Sequence, residues 1–539
     1  MIHILSQPTL EKIKPDATSF KDPYLQASAF CQEEITYQLV LCSDEMCGET
    51  VSYEVLPGFT TKLYQVKPVC VSWPHYNDDL KKDYCIDSPG FLPDILDPIP
   101  LKGTLLINNN ITVLWVSILA RQPGNYIHSI RFKTRNYERT ANFSVHVLPL
   151  KLPDPEFCLV PYIDPQSIAD SYNVPLYSDV FWELLEKYFK IAHDAGVDTI
   201  ILPIFPVIYD REVEFKPVQL IRVIEENKKY RYNYDLLDCW LFLMKKCGIN
   251  NIVIPPIFPS FRNIQCPEII CQSGRMETVL FDANADMRSS EYTTFIRRFL
   301  KAFLLHLEEF KFDGEVEFQI SSRPLYIDTE AYKDCRAAVF DAIKRRKVTD
   351  ALVDIHFYDT KLSAMPSIYL HDLKEFLRDD ITITCHTVSL DINSSADVFN
   401  FLIAAPAVRL RSMGLFSYYH NIFRVLNLGF NLCLSKDGKA VDLKLDTDNG
   451  GSYPSGSCSL VYPGMNGPLS SVRLKQIQLA AQDFRLLRLV DRYIPRSKLL
   501  KLLERDFGIT PEYLDVTAES YLKFKEKIYE YIEKEFLKE

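Results

Sequence analysis

The chain reads as an N-terminal β-sandwich followed by an α/β barrel of the (β/α)8 type with C-terminal helices. Three observations predict this. Residues 1 to about 150 carry short β-branched and aromatic runs separated by turn clusters, with almost no helical period. Beyond about residue 178 the apolar period becomes helical, and each helix leads through a glycine or turn into a short apolar strand. From about Ser471 to the end only helical patterning remains. The expected divisions are 1–150 for the sandwich, 151–490 for the barrel and 491–539 for a helical extension packed on it.

Within the first part the strand candidates are ITYQLVLC, VSYEVL, KLYQVKPVCVSW, GTLLINN, ITVLWVSILA, IHSIRFK and NFSVHVLPL, with a turn at Gln122-Pro123-Gly124-Asn125. The proline-punctuated segment 148–157 marks the boundary. Ser178 then caps a helix whose apolar stripe holds Val180, Phe181, Leu184, Leu185, Phe189 and Ile191. Gly196 ends it and the strand 197–206 follows. The unit repeats as LLDCWLFLMKKC, Gly248 and 249–259, with the same Ile-Phe-Pro ending. A third helix, 291–310, turns at Asp313-Gly314 into the strand 315–320. Further strands are expected at 351–359 and 381–387, and a long Gly, Ser, Asp and Pro-rich loop at 435–470.

Composition narrows the function classes. Hydrophobic content of 47% with 24% charged residues predicts a soluble globular protein with large cores. A net charge of -10 argues against nucleic acid or an anionic membrane as partner. No apolar run approaches the ~18 residues of a membrane span, and no signal peptide is evident at the N-terminus. The 14 cysteines are scattered without CxxC pairs, which predicts reduced thiols in a cytoplasmic protein. No phosphate-binding loop, dinucleotide fingerprint or nucleophile elbow occurs, so neither cofactor nor metal is expected. Asp446, Asp448 and Asn449 resemble half a calcium loop, but turn chemistry explains them better.

The most informative stretch is QISSRP, Gln319 to Pro324, because it ends a strand where a barrel presents its reactive groups. It resembles the His-Ile-Ser-Asp-Glu-Pro pattern of glycoside hydrolase family 123. Other segments share the likeness: PGFLPDILDPIP (89–100), ITVLWVSI, QPGNYIHSIRF, and 453–489 with Val461-Tyr462-Pro463-Gly464, Pro468 to Arg473, and Asp483. The resemblance implies a β-N-acetylgalactosaminidase that uses substrate assistance. In that chemistry an Asp holds the sugar's 2-acetamido group while the adjacent Glu protonates the leaving oxygen.

Ser322 and Arg323 stand where that Asp-Glu pair is expected. A hydroxyl supplies no stabilising charge, and a guanidinium donates no proton near neutral pH. Gln319 replaces the usual His. The family's Gly-Phe-Leu-His-Trp-Gly-Tyr-Asn appears as Gly429 to Lys436 without its Trp and Tyr, and Gly456-Ser457 stands for Gly-Asp.

Fallback carboxylates are Glu317, on the face shared with Glu315 and Gln319, Asp328 in the following loop, and Asp359 at the end of the 351–359 strand. Gln319, Tyr358, His386 and Tyr462 are the candidate substrate-binding residues. The favoured expectation is a degenerate relative that binds an amino-sugar glycan. The alternatives are an active glycosidase using a different carboxylate, or a non-catalytic scaffold that binds a protein partner. An inward-pointing Arg323 would favour an anionic sugar.

Overall fold

The computed structural model describes residues 2–43, 49–75, 84–107, 111–205, 218–227, 229–259, 266–282, 284–344, 346–363, 365–378, 381, 383–386, 399–510 and 513–537. The N-terminal strands form two sheets. A seven-stranded sheet runs Ile2–Pro8, Glu34–Ser43, Ile111–Leu119, Thr60–Val71, Gly90–Ile99, Gly467–Ser471, Val461–Gly464. A five-stranded sheet runs Gln26–Cys31, Glu138–Lys151, Gly124–Lys133, Glu49–Val55, Lys102–Ile107. Alternation turns Tyr37, Leu39, Leu41, Leu114, Val116, Phe132, Phe143 and Val145 into one shared core. Tyr37 stacks on Phe143 at 4.2 Å there.

The seven-stranded sheet corrects one expectation. Residues 435–470 do not form a loop throughout, because Val461–Gly464 and Gly467–Ser471 make a hairpin whose Ser470 and Ser471 pair with Leu96 and Ile95. Gly467 turns the hairpin at φ 129°. The N-terminal sheet is therefore completed by residues more than three hundred positions later. In the TDNGG stretch, Asp446 accepts from the Gly450 amide and Asp448 from the Gly451 amide, so both carboxylates serve turns.

The middle of the chain alternates parallel strands with helices. Cys158–Pro161, Ile422–Asn427, Ile383–His386, Ser367–Tyr369 and Ala351–Leu352 form one parallel sheet. Thr199–Ile201, Asn251–Ile254, Val316–Phe318 and Lys347–Val348 form another. Parallel bridges Tyr162 to Ile201 and Ser322 to Ala351 join the two at both ends. The helix Asp179–Asp194 begins at Ser178, whose hydroxyl accepts from the Phe181 amide. The helices Asp235–Lys246 and Ser290–Glu309 follow as the periodicity predicts, the latter burying Phe295, Phe299, Phe303 and Leu307. At Gly314 a Cβ would lie 1.7 Å from the Asn250 carbonyl oxygen, so only glycine lets the third unit close onto its neighbour.

Two features depart from the sequence reading. The expected strand 351–359 stops at Leu352, and His356–Asp359 is a short helix. The Asp354 carboxylate accepts from the His356 amide at 2.8 Å, so a local side-chain bond replaces the next ladder bond. Tyr358 and Asp359 therefore sit on a helical turn rather than at the end of a strand. A four-stranded sheet of Arg222–Glu226, Lys229–Asn233, Ile269–Ser273 and Met276–Phe281 was also not anticipated.

Two buried ionic clusters tie these parts together. Arg473 and Asp94 are both 0% exposed and 2.8 Å apart. Arg473 also donates to the carbonyls of Phe401 and Gly456, at 2.6 and 2.8 Å, and the Tyr462 hydroxyl donates to Asp94 at 2.6 Å. In the second cluster Arg411 forks onto Asp483, which also accepts from Tyr521 and Lys525. Lys525 and Tyr529 reach on to Glu33, and Glu526 accepts from Ser28. The last helix, Ala518–Phe536, is thereby held by the N-terminal sheets as well as by Asp483.

Asp94→Asn should strand the Arg473 charge in the interior and cost about 3–5 kcal/mol. Chemical denaturation of the two chains checks this, and an unchanged midpoint would show that the cluster contributes little.

Candidate functional site

Strand alternation divides the residues of Val316–Phe318 and its continuation. Phe318 and Ile320 join the outer core, so Glu317, Gln319 and Ser321 face the opposite way. On the neighbouring parallel strands a separate inner cluster holds Cys158, Val160, Tyr162, Ile201, Val253 and Leu426. Glu317 lies deep, 2% exposed, and is ion-paired with Arg424. Burial works against the Arg424 charge, yet Glu317 raises its pKa above the ordinary value. Glu317 is thus neutralised within the fold.

One turn further, polar groups outnumber their partners. The Gln319 amide donates to the Thr349 carbonyl at 3.2 Å. Its Oε1, the Ser321 hydroxyl and the Ser367 hydroxyl are buried without a hydrogen-bond partner among the described residues. Ser322 is buried and bridges Ala351. Arg323 adopts φ 52°, a left-handed conformation uncommon for such a side chain, and donates its amide to the Ala351 carbonyl at 2.8 Å. Its guanidinium carbon sits 4.5 Å from the ring centre of Tyr369, the last residue of Ser367–Tyr369. Just beyond, Tyr326 and Ile327 are 65% and 86% exposed on a short 3-10 turn.

The other candidates scatter. Asp328 accepts from the Leu325 amide at 2.8 Å and so stabilises that turn. Asp359 forms an exposed ion pair with Arg378 at 2.6 Å, and Arg378 in turn lies over Tyr358. His356 packs edge-on against Tyr326 at 4.7 Å. His386 pairs with Tyr369 along the strands, but its side chain lies outside the described residues. Tyr462 is 0% exposed with its hydroxyl on Asp94, so its role is in the buried cluster with Arg473 rather than in lining a pocket. Of the expected residues, the structure brings together Gln319, Ser322 and Arg323.

One residue was missed. Asp350, 0% exposed, accepts from the amides of Ile320 and Ser321 at 2.5 and 3.1 Å, and from the Tyr332 hydroxyl. It fixes the backbone that carries Ser322 and Arg323. Burial pushes its pKa up to about 6, although those three donors favour the charged form. Nothing local in the sequence marks it, because its partners arrive from a strand and a helix upstream.

A carboxyl whose folded pKa is raised binds protons more readily when folded, so its ionisation destabilises the fold as pH rises from about 4 to about 6. Asp350→Asn should remove that slope. Relative to the variant, the natural chain should lose stability over this window, by at most roughly 3 kcal/mol. Parallel thermal melts at pH 4, 5, 6 and 7 would read it.

Comparison with known proteins places this arrangement. The model of the family described as "Glycoside hydrolase 123, catalytic domain" matches residues 162–490. The solved structure of a family 123 glycoside hydrolase from Clostridium perfringens, described in terms of glycolipid glycan hydrolysis, superposes with a TM-score of 0.75 at 16% identity over 99% of each chain. A GH10 xylanase with a bacterial Ig-like domain, from termite gut, reaches a TM-score of 0.33 at 8% identity over 71% of this chain and 91% of that one, too loose a likeness to bear on fold or chemistry. No curated protein matches the sequence. With its catalytic-domain match covering well over half of its length, the chain belongs to glycoside hydrolase family 123.

Proposed function

We propose that this protein is a degenerate member of its family, one that binds an amino-sugar glycan without the acid pair that would cleave it. The reading includes an N-terminal sandwich over 1–150, a closed (β/α)8-type barrel over 151–490 and a helical extension over 491–539. The cyclic order of parallel pairings supports the barrel. The free thiols of the described cysteines suit a cytoplasmic setting. Among the described residues no helix is long and apolar enough to cross a membrane.

One observation carries the functional reading. The positions of the acid pair hold Ser322, which is buried, and Arg323, whose guanidinium is stacked on Tyr369. Each fallback carboxylate is engaged elsewhere: Glu317 by Arg424, Asp328 by the Leu325 amide and Asp359 by Arg378. General acid–base groups typically contribute about 10²–10⁴-fold each, so losing both leaves negligible hydrolysis by substrate assistance.

Turnover of a chromogenic β-N-acetylgalactosaminide tests this. The natural chain should match the uncatalysed rate, and joint Ser322→Asp and Arg323→Glu substitution should raise it. Robust turnover by the natural chain, abolished by neutralising Glu317, Asp328 or Asp359, would establish an active glycosidase with relocated acids and sink the proposal.

A further inference from the structure

We infer that a cavity between the N-terminal sheets and the last helix binds a small hydroxyl-bearing amine, its ammonium on Glu526 and a hydroxyl oxygen on Arg411. No residue of the turn that carries Ser322 and Arg323 lines this cavity, so the inference stands apart from the glycan reading above.

The cavity encloses about 510 Å³, inside the range of roughly 300–1,000 Å³ that small-molecule sites occupy. Three parts of the chain meet there: the sandwich, Arg411 at the end of the helix Ala407–Arg411, and the first half of the helix Ala518–Phe536. Junctions of this kind are where ligand sites concentrate. Leu10, Ile35 and Leu522 give it apolar walls.

The ions around the cavity cancel, with one exception. Arg411 and Lys525 are matched by Asp483 and Glu33. Glu34 is paired with Lys475, and Lys523 with Glu519. Glu526 has no ion-pair partner among the described residues and accepts from the Ser28 hydroxyl at 2.7 Å. One uncompensated negative charge therefore faces the cavity, which favours a cation over an anion or a neutral molecule.

Hydrogen-bonding capacity adds the hydroxyl. Arg411 forks onto Asp483 through Nε and Nη2, which leaves Nη1, at the other edge of the guanidinium, with no partner among the described residues. Arg411 is 6% exposed and lines the cavity, so an acceptor for that donor has to come from within it. The Tyr24 hydroxyl also lines the cavity and also has no partner among the described residues. Burial holds its pKa above the ordinary value, Glu526 raises it further and Arg411 opposes them, so the hydroxyl lies within reach of both charges. Phe143 packs against the Tyr24 ring at 5.2 Å and fixes its position. A bare ammonium has no acceptor to offer Arg411, whereas a hydroxyl oxygen accepts from it and from Tyr24.

Isothermal titration calorimetry of the full chain at low salt tests this with three probes. Galactosamine carries the charge and the hydroxyls, galactose the hydroxyls alone and butylamine the charge alone. Galactosamine should bind about tenfold tighter than either of the others, as one charge-assisted bond predicts. Glu526→Gln should abolish its advantage over galactose, and raised salt should shrink it. Tyr24→Phe, which removes an oxygen that no other side chain uses, should cut its advantage over butylamine roughly threefold. Thermal melts matching the natural chain establish that both variants are folded. Absence of galactosamine binding, or an affinity unchanged by Glu526→Gln, overturns the site. Equal affinity for galactose overturns the role of the charge, and equal affinity for butylamine that of the hydroxyls.

Discussion

The fold depends on the pairing of Arg473 with Asp94. Taking a guanidinium and a carboxylate fully out of water costs several kcal/mol per ion, and their attraction offsets this only with good geometry and satisfied remaining donors. Arg473 meets that condition by also donating to two backbone carbonyls, those of Phe401 and Gly456. Those carbonyls, Asp94 and Tyr462 come from three separate stretches of chain, near residues 94, 401 and 456–462. The pair can therefore form only when the N-terminal sheet, the 435–470 region and the helix Val472–Val490 have all docked. At Gly456 a Cβ would approach Ile403 and the Arg473 guanidinium within 2.8 Å, so glycine there is a packing requirement of the same cluster.

This cluster explains why the family likeness is carried near both ends of the chain. The segments that carry the resemblance near either end of the chain, PGFLPDIL, VYPG and PLSSVR, meet at Asp94, Tyr462 and Arg473. Asp483 is likewise a structural anion, shared by Arg411, Lys525 and Tyr521. These motifs hold the domains in register. Ser322 and Arg323 answer to a different constraint, the turn that Asp350 pins through two amides. The Asp94–Arg473 and Arg411–Asp483 pairs involve no residue of that turn, so the two sets of interactions are distinct.

Legibility followed the range of the interactions. Helices capped by a local serine, such as Asp179–Asp194, and strands with a clear apolar period were readable because their determinants lie within a few residues. The stretch 351–359 misled because its alternation was real while Asp354 diverted the backbone into a helical turn. The 461–471 hairpin was hidden in a Gly and Pro-rich region because its partner strand is Gly90–Ile99. The place of Tyr462 in a buried cluster was not legible locally, since the hydrogen bond that occupies it reaches residue 94.

By itself the sequence determined the order and type of the main elements and the family, because periodicity, capping and residue identity are local properties. Only the tertiary structure decided which charges are satisfied. It buried Tyr462, neutralised Glu317 with Arg424, placed Arg323 against Tyr369 and revealed Asp350 beneath the turn that carries Ser322. A buried polar group's role is set by the partner it finds, and that partner arrives from a distant segment brought near by packing.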